Sequence, residues 1–303
     1  MNTAPLISIL LGLVLAPMLP GVINKTKAFF GGRKGQPVLQ LYFDLWKLLH
    51  KGAVYSRTTS WVFRAGPIVW MAAGLAALLL VPLGRTGAWL RFEGDLVLLV
   101  YLLGLMRFFV VIAALDTGSS FEGMGASREV QFSALAEPAL LLSLAALARQ
   151  MGTLSLSGMY SMMSAQTLIT AGPAMLLVAG ALLIVFLAEN ARLPVDDPNT
   201  HLELTMIHEV MVLDTSGPDL AFILYGSAVK MWVLGALLMG VLLPVKTGHA
   251  ALDAAIMVGG MMALAVATGV IESTMARLRM VRVPQLLAAA SALAVLALVL
   301  VFR

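Results

Sequence analysis

The sequence predicts an all-α, polytopic membrane protein with eight transmembrane helices and, after the first, an amphipathic interfacial helix on the cytoplasmic side. Three observations carry this. Eight apolar stretches recur along the chain, each close to the ~20 residues a helix needs to cross the hydrocarbon core. The composition, 60% hydrophobic and 12% charged with a mean hydropathy of +0.93 over 303 residues, leaves no room for a sizeable soluble domain. The connections between the stretches also carry their Lys and Arg on alternate sides. Residues 1–303 are therefore expected to form a single integral membrane domain.

In chain order the expected spans are 5–22, 67–83, 96–115, 130–147, 171–187, 220–243, 250–271 and 284–302. The first has no basic leader and no A-x-A site before a polar chain, so it is expected to stay as the first helix and not to be a signal peptide. Residues 36–51 are helical but do not span. Their polar positions Gln40, Asp44, Lys47 and Lys51 follow i, i+4, i+7, i+11, while Val38, Leu41, Leu45, Leu48 and Leu49 fall largely on the other face. Such a helix either seals the rim of the bundle or walls a lateral entrance for a lipid-like molecule.

Orientation follows from the bases. The odd connections hold Lys25, Lys27, Arg33, Lys34, Lys47, Lys51, Arg57, Arg64, Arg128, Arg192, Arg277, Arg279 and Arg282. The even connections and the C-terminal end hold only Arg85, Arg91, Arg149, Lys246 and Arg303. Both termini are thus expected outside a cytoplasmic (inner) membrane, and the net charge of +4 is a topology signal and no argument for nucleic acid. The chain has no cysteine, which excludes disulfides and thiolate ligation of an iron–sulfur cluster or zinc.

An ionised group deep in a bilayer costs several kcal/mol and calls for a partner or a water path. Arg107, Glu137 and Lys230 lie inside the expected spans. Two readings stay open: a static pair of Glu137 with Arg107 or Lys230, or a proton relay in which Glu137 changes protonation state. Pro138 frees a backbone carbonyl one turn back, where water could enter.

The fifth connection is long and acidic, and long connections usually have a task. Glu189 and Arg192 stand at i, i+3 spacing, suited to a local pair. Pro194 and Pro198 force an irregular path, and 200–209 reads as a short helix. His201 and His208, with Glu203 and Glu209 nearby, are set between a metal site and a hydrogen-bonded or subunit-contact role; the spacing is not HExxH, and no metal ligand set is assigned.

Three segments together, RKGQPVLQLYFDLWKLLHK (33–51), GASREVQFSALAEP (125–138) and AENARLPVDD (188–197), resemble the signatures of the respiratory complex I subunit 1 family. That family includes the membrane anchors of energy-converting nickel–iron hydrogenases of the formate hydrogenlyase and hydrogenase-4 type, and the resemblance covers nearly the whole chain. Quinone-reducing members have a W-x-E-R-K type segment after span 1 and a carboxylate-rich stretch ending in E-S-E-L after span 5. This chain has Ile23 to Lys27 and Pro198 to Leu204 there, which places it nearer the hydrogenase-type anchors.

The resemblance implies a membrane anchor and coupling subunit that holds no redox centre. It would link a nickel–iron large subunit and an iron–sulfur small subunit to antiporter-like membrane subunits and to proton or sodium translocation. It implies a translocation set of Glu137, Arg107, Lys230, Glu189 and Glu203. It also implies a redox-arm interface of Asp116, Glu122, Arg128, Glu129, Arg192, Asp196, Asp197, His208, Glu209, Arg33, Lys34, Asp44 and Lys47. The alternatives are a quinone-chamber subunit of an NADH or ferredoxin oxidoreductase, and a stand-alone secondary transporter. The transporter would be expected to show repeated halves with broken helices, and the sequence has no internal repeat.

Overall fold

The computed structural model describes residues 4–84, 86–196, 206–244 and 247–302. Among them the chain forms twelve α-helices: α1 (Ala4–Leu15), α2 (Met18–Phe30), α3 (Gln40–Leu49), α4 (Trp61–Leu80), α5 (Asp95–Asp116), α6 (Ser120–Met151), α7 (Leu156–Met162), α8 (Ala165–Thr170), α9 (Gly172–Glu189), α10 (Gly217–Leu242), α11 (Ala250–Thr274) and α12 (Val283–Val301). Two 3₁₀ turns, Glu209–Val212 and Met280–Arg282, complete the helical set, and no strand occurs among the described residues. The chain is an all-α, multi-pass membrane protein.

Among the described residues seven helices are long and apolar enough to cross a bilayer, and the pair α1 and α2, bent by 44° between Leu15 and Met18, would bring the number to eight if it forms one span. The expected single helix over 5–22 is corrected accordingly. Pro17 and Pro20 remove two amide donors within one turn, and their rings crowd the preceding carbonyls. The pair also runs on to Phe30, well past residue 22.

Helix α6 departs in the other direction. Expected from 130, it begins at Ser120 and runs for 32 residues through Pro138 without a break. A hydropathy pattern stops at the polar residues 122–129, yet Glu122 and Glu129 are tolerated there because each finds a partner inside the bundle. The interfacial helix is shorter than expected, Gln40–Leu49 in place of 36–51. Of the short helix expected over 200–209, residues 200–205 lie outside the described ones; Met206 to His208 are not helical, and the 3₁₀ turn starts only at Glu209.

Helix α10 is the central column. Of its most apolar stretch 78% is buried, against 28% for the segment containing α12 at the periphery. Three glycines let neighbours reach its backbone, as small residues do between membrane helices. A Cβ on Gly226 would stand 2.4 Å from the Trp70 ring, one on Gly240 2.4 Å from Tyr160, and one on Gly235 2.8 Å from Met261. The same neighbours complete their polar needs on α10: the Trp70 indole donates to the Ile223 carbonyl (3.1 Å) and the Tyr160 hydroxyl to that of Leu237 (2.8 Å).

The segment before α3 runs tightly against α2. A Cβ on Gly21 would meet the Val38 carbonyl oxygen at 1.9 Å, a distance that no side-chain rotation relieves because the neighbour is backbone. Gly21→Ala is therefore expected to push the 36–39 segment off α2 and cost about 1–3 kcal/mol of stability, the range for overpacking. Thermal melting of the detergent-solubilised protein, with Gly31→Ala as the tolerated control, measures it.

Candidate functional site

The site begins with Arg107, at mid-length of α5 and only 6% exposed. A guanidinium cannot shed its proton and carries its donors in a flat fork, so burying it requires carboxylates in its plane. Three supply this. Nη1 donates to Glu137 and Nη2 to Glu189 (2.6 Å), while Nε lies 3.4 Å from Glu129. Glu129 and Glu137 come from α6, and Glu189 is the last residue of α9. Lys230 of α10 stands 3.4 Å from the other oxygen of Glu189, with its ammonium 5.3 Å above the Trp70 ring.

This settles the partners of the in-span charges. Glu137 pairs with Arg107, as one sequence reading had it, whereas Lys230 pairs with Glu189. The local Glu189–Arg192 pair expected from i, i+3 spacing is corrected: both oxygens of Glu189 are taken by Arg107 and Lys230, and the equally buried Arg192 finds its carboxylate on another helix. Arg192 turns instead to Glu272 of α11 (3.5 Å), whose side chain is fully buried and also meets Lys27 of α2 at 2.8 Å. Next to it Asp196 pairs with Arg277 (2.8 Å) and accepts the backbone N–H of Ile207 (3.0 Å) and of His208 (3.4 Å). Glu272 escaped sequence analysis. A lone carboxylate in the apolar run before Ser273 was its only signal.

Between the two charge groups lies a cavity of about 170 Å³ lined by Glu189, Arg192, His208, Glu209, Lys230 and the apolar Pro20, Leu41 and Val212. That is room for several water molecules. His208 faces it and stacks on Trp70, ring centroids 5.5 Å apart. Enclosure away from bulk water, reinforced by the Lys230 charge, pushes its imidazole down to about 4, so it is neutral at pH 7. Among the described residues no group of three or more His, Cys, Asp or Glu side chains could hold a metal ion.

The remaining sequence candidates scatter. Asp116 caps α4, accepting the Ser60 N–H (2.7 Å) and hydroxyl (3.0 Å) and the Phe63 N–H (3.3 Å). Glu122 is buried and accepts the Asp214 N–H (2.9 Å), while Arg128 donates to the Met206 carbonyl (2.9 Å); both hold the segment that returns to α10. Asp44 accepts from Gln40 on α3 (2.9 Å), and Arg33, Lys34 and Lys47 are exposed. Asp197, His201 and Glu203 lie outside the described residues.

Fold and site together define a multi-pass helical membrane protein with an internal network of paired charges. The chain belongs to the NADH dehydrogenase family of the complex I subunit 1 type, whose family model matches residues 3–302. It is 32% identical to formate hydrogenlyase subunit 4 of Escherichia coli (strain K12) over 301 residues, 97% of either chain. To hydrogenase-4 component C of the same organism it is 33% identical over 235 residues, 77% of this chain and 72% of that one. Its fold matches a chain in the structure of the membrane-bound sulfane sulfur reductase, an archaeal respiratory membrane complex, with a TM-score of 0.84 over 98% of each chain at 20% identity. At that identity the likeness speaks for the fold alone.

Arg107→Gln would leave Glu129, Glu137 and Glu189 with Lys230 as their one nearby base. It is expected to cost about 3–5 kcal/mol, the usual penalty for breaking a buried pair from one side. Adding Glu189→Gln should recover part of the loss. Melting of the three proteins in one detergent measures both effects.

Proposed function

We propose that this chain is the membrane anchor and coupling subunit of a hydrogenase complex related to complex I, in which redox chemistry in a partner arm drives protons or sodium ions across the membrane. One observation carries the ion-coupling part: paired charges run without a gap from the cavity at Glu189 and Lys230, through Arg107, to Glu137, whose side chain is 41% exposed on the flank of the bundle. A carboxylate open on a lateral surface at membrane depth calls for a polar neighbour on another chain. An antiporter-like subunit is the fitting one. Nickel–iron and iron–sulfur centres are assigned to partner subunits, in keeping with a chain that has no cysteine. The two closely similar hydrogenase components support the hydrogenase setting.

Charge counting supports a mobile proton. Taken as ionised, Glu129, Glu137 and Glu189 outnumber Arg107 and Lys230 by one, so a single proton brings the in-span group to neutrality. Across the cavity stands a second group at the helix ends, where Lys27 and Arg192 meet Glu272 and Arg277 meets Asp196. A contact that shifts the helix-end group would change the field at Glu189 and bias where that proton sits. The redox arm would dock on the first, third and fifth connections, including Asp196, Asp197, Glu203 and Glu209. By its distribution of bases the chain is placed as one membrane domain of a cytoplasmic (inner) membrane with both termini outside.

The test is a mild-detergent pull-down of the tagged chain with nickel and iron assayed. Nickel together with a hydrogenase large subunit is the expected result. A flavin-containing NADH module without nickel would turn the assignment to a quinone-chamber subunit, and full transport by the lone chain would sink both. In the isolated complex, Glu137→Gln is expected to leave subunit content and redox turnover in place while ion translocation falls to a small fraction; undiminished translocation would remove Glu137 from the path.

A further inference from the structure

The elbow formed by the end of α2 and helix α3 presents features that the charge network does not use. Helix α3 lies within the depth of the first crossing and not above it: the Tyr42 hydroxyl donates to the Val14 carbonyl of α1, and Val38 lies against Gly21 of α2. Both contacts fall within the broken pair that forms this crossing. Leu41, Leu45 and Leu48 are half-buried on the side of α3 that packs on α10. The opposite side carries Phe43, 59% exposed, and Trp46, 69% exposed, and Phe29 at the end of α2 is 80% exposed. A water-soluble arm does not reach that depth, so these rings face lipid at the headgroup boundary, where Trp and other large apolar side chains anchor interfacial helices.

Beside the rings stand Arg33, Lys34, Lys47 and Lys51, all exposed and forming no ion pair among the described residues. The turn that carries the first two is pinned back onto α2: the Arg33 N–H donates to the Ala28 carbonyl (2.9 Å) and the Lys25 ammonium to that of Lys34 (2.7 Å). Four uncompensated bases held next to lipid-facing aromatics suit an anionic headgroup. A protein surface would leave Phe43 and Trp46 uncovered or would have to enter the bilayer to reach them. We infer that the α2–α3 elbow is a binding surface for anionic phospholipid, with the rings in the headgroup boundary and the four bases on phosphate, so that Arg33, Lys34 and Lys47 meet lipid in place of the redox arm that the family resemblance implies for them.

The test uses the complex in nanodiscs, with brominated phosphatidylglycerol or brominated phosphatidylcholine titrated in and tryptophan quenching recorded for the parent and for Trp46→Phe. The difference between the two proteins isolates the Trp46 share from that of every other tryptophan in the complex, this chain's other four included. That share should be quenched at a fraction of the anionic lipid lower by about fivefold or more, fivefold being the preference that even one base near a charged leaflet produces. Replacing Arg33, Lys34, Lys47 and Lys51 together by Gln should abolish the preference while leaving the quenching. Equal quenching by both lipids in the parent overturns the anionic assignment. Absence of quenching by either would show the face covered by a partner subunit and overturn the lipid assignment altogether.

Discussion

Burial of the Arg107 guanidinium is the constraint on which the rest of the bundle depends. Its Nη1 and Nη2 donate to Glu137 of α6 and Glu189 of α9, and Nε has an ion contact with Glu129 of α6. Each pairing fixes the depth of one helix against another, since a slip of a single turn would leave an ion without its counterpart in a medium that punishes it. Lys230 adds α10 to the set through Glu189. Four crossings are thereby held in register by electrostatics, while close approach at Gly226, Gly235 and Gly240 supplies the packing that apolar surface alone cannot drive between helices in lipid.

A network that merely locked the helices would favour balanced charge and full burial. Here the in-span group has one carboxylate in excess, and its last member opens on the flank of the bundle. The helix-end group around Glu272 and Asp196 faces it across the cavity with His208. The arrangement is two sets of ion pairs held apart by a small polar chamber. A neutral His208 suits this position, because a third fixed cation beside Lys230 would strip the chamber of its polarity.

Much of the fold was legible because hydropathy is imposed by the solvent and does not depend on tertiary detail. Seven of the spanning helices fall where apolar runs place them. The errors lie where polar residues continue a helix, as at Ser120 to Glu129, or where proline breaks an apolar run, as at Pro17. The site was legible in its members but not in its pairings. Arg107, Glu137 and Lys230 announce themselves as charges in apolar sequence; their partners lie 22 to 82 residues away in sequence, and a local rule such as the i, i+3 pairing of Glu189 with Arg192 yields to them. Glu272 went unseen because a single acid near a helix end looks like ordinary solubility.

The segment between α9 and α10 is tied to the bundle in a way that bears on coupling. Its backbone N–H groups at Ile207, His208 and Asp214 donate to carboxylates, Asp196 and Glu122, and its Met206 carbonyl accepts from Arg128. These carboxylates and this arginine belong to the charge systems of α6 and of the α9 connection, so a partner that pulls on the segment moves charge as well as backbone. Asp196 is shared between the backbone of this segment and Arg277, and Arg192, four residues before it, pairs with Glu272 and lines the cavity beside Glu189. Force on this segment would therefore act on Asp196 and Glu122, and through Asp196 on its ion pair with Arg277, before it moved any helix.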